Sequence, residues 1–71
     1  MWEIGDNIRA INYYTGTVIG PDTIEIWVDV YVGKVYTVAY INETLGWYYA
    51  EEIGGPGLRI GFNEEINFEK V

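Results

Sequence analysis

The chain has 71 residues, with 11 acidic and 4 basic side chains, a net charge of −7, 3 Trp, 7 Tyr and 2 Phe, and neither Cys nor His. That length fits a single domain over residues 1–71 with a limited core, and the lack of Cys excludes disulfides and thiolate metal sites from its stabilisation. The small number of cations argues against direct binding to DNA or RNA, which rests on neutralising phosphates with Lys and Arg.

Residues 1–7 read as a lead-in, with Trp2 and Ile4 on a short edge strand and Gly5-Asp6-Asn7 as a turn. The segment Ile8-Arg9-Ala10-Ile11 alternates as a strand does. Tyr13 to Ile19 is predicted as the next strand, with Gly16 as a bulge or a point of close approach. Gly20-Pro21-Asp22-Thr23 is a turn, because Pro presets φ at the second position and Asp suits the third.

The strongest signal is Ile24 to Ile41. Ile24, Ile26, Val28, Val30 and Val32 share one face of a period-two pattern, and Glu25, Trp27, Asp29 and Tyr31 share the other. Gly33-Lys34 then predicts a two-residue type II′ turn. Folding back there pairs Val32 with Val35, Val30 with Thr37, Val28 with Ala39 and Ile26 with Ile41 on an inner face. Tyr31 with Tyr36 and Trp27 with Tyr40 then lie on an outer one.

Beyond this hairpin, Asn42-Glu43-Thr44-Leu45-Gly46 is a loop, and Trp47-Tyr48-Tyr49 is a strand with Trp47 and Tyr49 on one side. Ala50 to Ile53 is expected to form a single helical or 3₁₀ turn. Gly54-Gly55-Pro56-Gly57 is a break that reverses the chain. Residues 54–71 then form a C-terminal hairpin, with Leu58, Ile60 and Phe62 on one strand, Asn63-Glu64-Glu65 as the turn, and Ile66 and Phe68 on the other. No segment has the 3.6-residue period of a useful helix or the apolar length of a membrane span. Met1-Trp2-Glu3-Ile4 carries no basic stretch of the kind that opens a signal peptide, so a cytoplasmic protein is expected.

Gly5-Asp6-Asn7-Ile8-Arg9, then Gly16-Thr17-Val18-Ile19, a long hairpin, and Trp47-Tyr48-Tyr49-Ala50-Glu51-Glu52-Ile53 together resemble the SH3-like and Tudor-like small β-barrels over roughly residues 4–53. The resemblance implies an all-β fold: a barrel of about five short antiparallel strands with the C-terminal hairpin added. It also implies a binding module, since such barrels take proline-rich peptides, methylated side chains, nucleic acids or other proteins. A shared fold does not choose among these.

The chemistry of the side chains points the same way. Without His, Cys or Ser the chain lacks the commonest general base and the commonest nucleophiles, so no enzyme activity is expected. Glu51-Glu52 and Glu64-Glu65 are sequence neighbours that a strand would send to opposite faces, and Asn63-Glu64-Glu65 lacks the spacing of a Ca²⁺ loop. Neither a metal nor a cofactor is expected.

What remains is a set of aromatic rings beside carboxylates. Trp27, Tyr31, Tyr36, Tyr40, Trp47 and Tyr49, surrounded by Glu25, Asp29, Glu51 and Glu52, are the expected anchors of a surface for a basic protein partner. This makes the chain a non-catalytic interaction module. Its small acidic character and its Ile, Asn, Tyr and Glu content fit a phage or mobile-element inhibitor of a host nucleic-acid-binding or defence protein. A second reading is a homo-oligomer that encloses a small anionic ligand at Arg9 or Arg59. A third is a Tudor-like aromatic cage for cationic side chains.

Overall fold

The alternating segments form seven strands of one antiparallel sheet in the computed structural model, which describes residues 1–19, 24–53, 55 and 57–71. In chain order they are β1 (Asn7–Ala10), β2 (Tyr14–Ile19), β3 (Glu25–Val30), β4 (Val35–Asn42), β5 (Trp47–Glu52), β6 (Gly57–Gly61), a 3₁₀ helix (Phe62–Asn67) and β7 (Phe68–Lys70). Their order across the sheet is β3-β2-β6-β5-β4-β1-β7. The fold is therefore all-β, as the alternation predicts. The expected turn at Gly20-Pro21-Asp22-Thr23 and the residues Gly54 and Pro56 lie outside the described residues. Among the described residues no helix is long and apolar enough to cross a membrane.

The sheet curls so that one face becomes the core, and β3 and β7 remain as edges not joined to each other by hydrogen bonds. Ile8 and Ala10 of β1, Val30 of β3, Tyr36 and Val38 of β4, Tyr48 and Ala50 of β5, Leu58 and Ile60 of β6, and Phe68 of β7 all turn inward. Tyr14 on β2 meets Phe68 on β7 edge-to-face at 5.8 Å, which measures how far the sheet has wrapped. Trp2 is not on an edge strand, as alternation with Ile4 suggests. It plugs the core in irregular chain, 4.7 Å from Tyr48 and 5.6 Å from Phe68 between ring centroids. Gly16 is a point of close approach: a Cβ there would sit 2.6 Å from Leu58 Cδ1.

The central hairpin does not form. β3 pairs with β2, while β4 pairs with β1 and β5. The turn explains the difference. Lys34 N–H donates to the Tyr31 carbonyl at 3.2 Å, and the positive φ of 96° falls on Gly33, the third position of that turn. This is the type II signature, which does not match the twist of two paired strands as type II′ does. The turn is instead tied to the end of β1: Gly33 N–H donates to the Ala10 carbonyl and Ala10 N–H to the Lys34 carbonyl, each at 2.8 Å. The chain thus crosses the core after β3.

Because β4 has different partners, its faces also change. Tyr36 and Val38 point inward, and Val35 is exposed. The register then shifts between Val38 and Tyr40, a bulge that reverses the parity and sends Tyr40 outward. The β4–β5 connection is the hairpin loop predicted at Asn42–Gly46, closed by Gly46 N–H to the Asn42 carbonyl at 2.8 Å and by Leu45 N–H to Asn42 Oδ1 at 2.9 Å.

Two expectations for the last third are also corrected. Residues through Glu52 stay extended because β5 is paired on both sides, by β4 and β6; the 3₁₀ turn lies at Phe62–Asn67. Residues 57–71 are not an added hairpin. β6 is inserted between β2 and β5, and β7 lies on β1, so the tail supplies Leu58, Ile60 and Phe68 to the core.

Candidate functional site

The face of the sheet turned away from the core carries a continuous cross-strand row. The pairings Trp27↔Thr17, Thr17↔Arg59, Arg59↔Tyr49 and Tyr49↔Tyr40 place these side chains next to one another on β3, β2, β6, β5 and β4. At the usual strand spacing the row runs about 19 Å. Trp47 lies one step along β5 on the same face, opposite Gly61. Trp27 is 70% exposed, and Tyr40 is also more than half exposed.

Arg59 is the centre of this row. Its guanidinium forms an ion pair with Glu25 and donates to Thr17 Oγ1 at 3.3 Å, and its Cζ lies 5.9 Å from the centre of the Trp47 ring. Trp47 in turn packs against Tyr40 at 5.9 Å between centroids. Tyr49 lies across Gly57, where a Cβ would fall 1.9 Å from the Tyr49 hydroxyl. Only a residue without a side chain leaves room for the ring there. Tyr40, Trp47, Tyr49 and Arg59 together line an open depression of about 360 Å³.

A second cluster sits toward the β3 end of the same face. The Tyr13 hydroxyl donates to Asp29 Oδ1 at 2.8 Å, the Tyr31 hydroxyl lies 3.5 Å from Oδ2, and the two rings are 5.6 Å apart. The bond to the Asp29 carboxylate pushes the Tyr13 phenol pKa up, since ionisation would set two negative charges side by side. Glu51 joins the face through its parity with Tyr49 and Trp47.

Eight of the ten side chains expected to meet a partner thus share one face: Trp27, Tyr31, Tyr40, Trp47, Tyr49, Glu25, Asp29 and Glu51. The other two do not. Tyr36 is 2% exposed and belongs to the core. Glu52 points to the other side of β5 and pairs with Lys34. The hairpin register places Tyr36 outward, and the actual partners of β4 turn it in; Glu52 belongs to β5 rather than to a helical turn and shares the inward parity of Tyr48 and Ala50.

Arg9 and Arg59 are not brought together either. Arg9 pairs with Glu69 on β7, three strand positions from Arg59, or about 14 Å. Tyr13, Thr17 and Gly57 are part of the site but were not among the expected anchors. Tyr13 shares the parity of Thr15 and Thr17 on β2, which is the signal that places it.

Among the described residues no group of three or more His, Cys, Asp or Glu is placed to hold a metal ion. Three rings meet at one depression, as an aromatic cage requires, but the cation position over Trp47 is taken by Arg59. Comparison with known protein families, with curated proteins and with solved structures finds no match to this chain.

Proposed function

We propose that the outward face of the β3-β2-β6-β5-β4 region is the docking surface of a non-catalytic interaction module for a basic protein partner. The observation that carries the reading is the clustering of Trp27, Tyr31, Tyr40, Trp47 and Tyr49 with Arg59 on that face, bordered by Glu25, Asp29 and Glu51. Trp, Tyr and Arg are the residue types that dominate the energy of interfaces, and exposed aromatic clusters on a small protein mark such sites. Arg59 is neutralised by Glu25, so the face as a whole stays acidic and would steer a cationic surface toward it.

A nucleic-acid-binding or defence protein of a microbial host, acting in the cytoplasm, is the partner class whose charge fits, and the chain would act on it as an inhibitor of phage or mobile-element origin. The aromatic-cage reading ranks below this one because Arg59 occupies the cationic position. The ligand-enclosing oligomer ranks lower still because Arg9 and Arg59, either of which would meet the anion, are each already paired with a carboxylate.

The test is native mass spectrometry of the protein recovered from a microbial lysate, with a Trp27→Ala/Tyr40→Ala variant in parallel. A basic protein held by the wild type and lost by the variant supports the reading. A bare monomer from both preparations refutes it.

A further inference from the structure

The β3 strand is an edge, and its residues do not look like those of a protected edge. It pairs with β2 on one side, and among the described residues no strand lies against the other. Ile24, just before it, is 63% exposed and Ile26 is 46% exposed on the core-side parity, while Trp27 stands out on the opposite face. Glu25 and Asp29 flank Trp27 on that outer face. The other edge of the sheet is handled differently. β7 has three residues, buries Phe68, and ties Glu69 to Arg9 and Lys70 to Asp6. Natural sheets shorten or charge their edges to stop unwanted pairing, and a longer edge with exposed aliphatic and aromatic side chains is a template for another strand.

We infer that an extended segment of the basic partner adds to the free edge of β3 as an eighth strand, with Lys or Arg opposite Glu25 and Asp29 and aliphatic side chains opposite Ile26 and Val28. This rests on the reading of the outward face as a surface for a basic protein and names the part of the partner that meets it. Strand addition draws affinity from main-chain hydrogen bonds and specificity from alternate side chains. The alternation on β3 specifies which side chains those are: cationic on the face shared with Trp27, apolar on the face continuous with the core.

Charge selects against a second copy of this chain as the occupant. In a two-fold pairing centred on Trp27, Glu25 of each copy faces Asp29 of the other, and like charges directly opposed destabilise a strand pair. Each copy also brings a net charge of −7. A basic strand meets Asp29 with opposite charge, and at Glu25 it shares a carboxylate that Arg59 already pairs, so Asp29 carries the charge selection. The Tyr13 and Tyr31 hydroxyls that surround Asp29 are neutral, so they orient that carboxylate without cancelling it.

The experiment uses the full isotope-labelled chain, a short peptide of alternating Lys and Val, and a control of the same composition with Lys and Val in separate blocks. Amide hydrogen exchange and chemical shifts are read along β3 and at the Trp47 indole. The expected result is that alternate amides within Glu25–Val30 gain protection with the alternating peptide and not with the control. Peptide N-methylation should abolish binding at one set of alternate positions and spare it at the other. Asp29→Lys should weaken binding about tenfold.

Peptide-induced shifts at Trp47 with no protected β3 amide would overturn strand addition while leaving the outward-face reading standing. The absence of any binding by the alternating peptide would also overturn it, and the outward face would still be judged separately by the lysate capture. A dimer of the chain alone whose β3 amides are already protected would overturn it in favour of self-pairing.

Discussion

Gly16→Ala tests the packing that the crossover topology creates. Gly16 on β2 faces the core opposite β6, and the added methyl would lie 2.6 Å from Leu58 Cδ1, 3.5 Å from Tyr14 Cε2 and 3.6 Å from Val30 Cγ2. The last two are ordinary contacts, so the conflict is with one atom of Leu58, which is fully buried and cannot swing into solvent. Overpacking of this kind costs about 1–3 kcal/mol. Gly→Ala returns about 0.4–1 kcal/mol through the unfolded chain where the backbone is compatible, and Gly16 does not have positive φ. The net expectation is a loss of about 1–2 kcal/mol, or a fall in Tm of roughly 5–15 °C for a domain of this size. Thermal and urea unfolding followed by circular dichroism measure it. Leu58→Val shortens the conflicting side chain and alone costs about 1 kcal/mol. Combined with Gly16→Ala it should cost less than the sum, since the new methyl occupies the space released. A neutral Gly16→Ala, or strict additivity in the cycle, would refute the β2–β6 contact.

Gly57→Ala puts a methyl 1.9 Å from the Tyr49 hydroxyl, so the ring must lift off the sheet; this displaces a flexible side-chain end rather than backbone and should change stability by less than about 1 kcal/mol while shifting the Trp47 indole resonance. An unshifted indole would show that Tyr49 does not shape the depression. The Tyr14 hydroxyl is buried without a hydrogen-bond partner among the described residues, so Tyr14→Phe should raise stability by about 1 kcal/mol, read as a higher urea midpoint, and a lower midpoint would mean the hydroxyl is satisfied. Burial pushes the phenols of Tyr14, Tyr36 and Tyr48 above their ordinary value of about 10. Ionisation then favours the unfolded chain: stability is full below that value and declines as pH rises through it. Unfolding midpoints at stepped pH should drop at the alkaline end, and midpoints flat to pH of about 12 would contradict the burial of these rings.

The alternation of Glu25–Val30 and of Trp47-Tyr48-Tyr49 made strands legible from period two alone, while the continuation of β5 through Glu52 was not, because Ala50-Glu51-Glu52 carries no apolar alternation of its own. Nor was pairing. Val35–Ile41 reads VYTVAYI, in which Val35, Thr37, Ala39 and Ile41 make one plausible core face and Tyr36, Val38 and Tyr40 another. Hydrophobicity does not choose between them, so the choice falls to the turn, and Gly33 can supply the positive φ either as the first central residue of Gly33-Lys34 or as the second of Val32-Gly33. The bulge after Val38 then uses both faces in succession: Tyr36 and Tyr40 have the same parity in the sequence and opposite sides in the fold. Nothing local marks Ala39 as the extra residue. It follows from the need to bury Tyr36 and Val38 at one end of β4 and Ile41 at the other.

The division of the aromatic rings bears most directly on function. Trp2, Tyr14, Tyr36, Tyr48, Phe62 and Phe68 form or pack against the core, while Tyr13, Trp27, Tyr31, Tyr40, Trp47 and Tyr49 lie on the outward face. A chain this short has little stability to spare, and each ring it leaves outside forgoes about 150–250 Å² of possible burial. Scattered exposed rings need no explanation in a small protein. Six share one face of five adjacent strands, and five of them have specific local contacts: Arg59 is seated between Trp47 and Glu25, Trp47 meets Tyr40, Tyr13 meets Tyr31, and Gly57 is bare beneath Tyr49. Those contacts lie on the side of the sheet away from the core residues. The parity switch at Ala39 also adds Tyr40 to this face rather than to the core. On the proposed reading, the free energy these rings can supply is released on binding a partner instead of on folding.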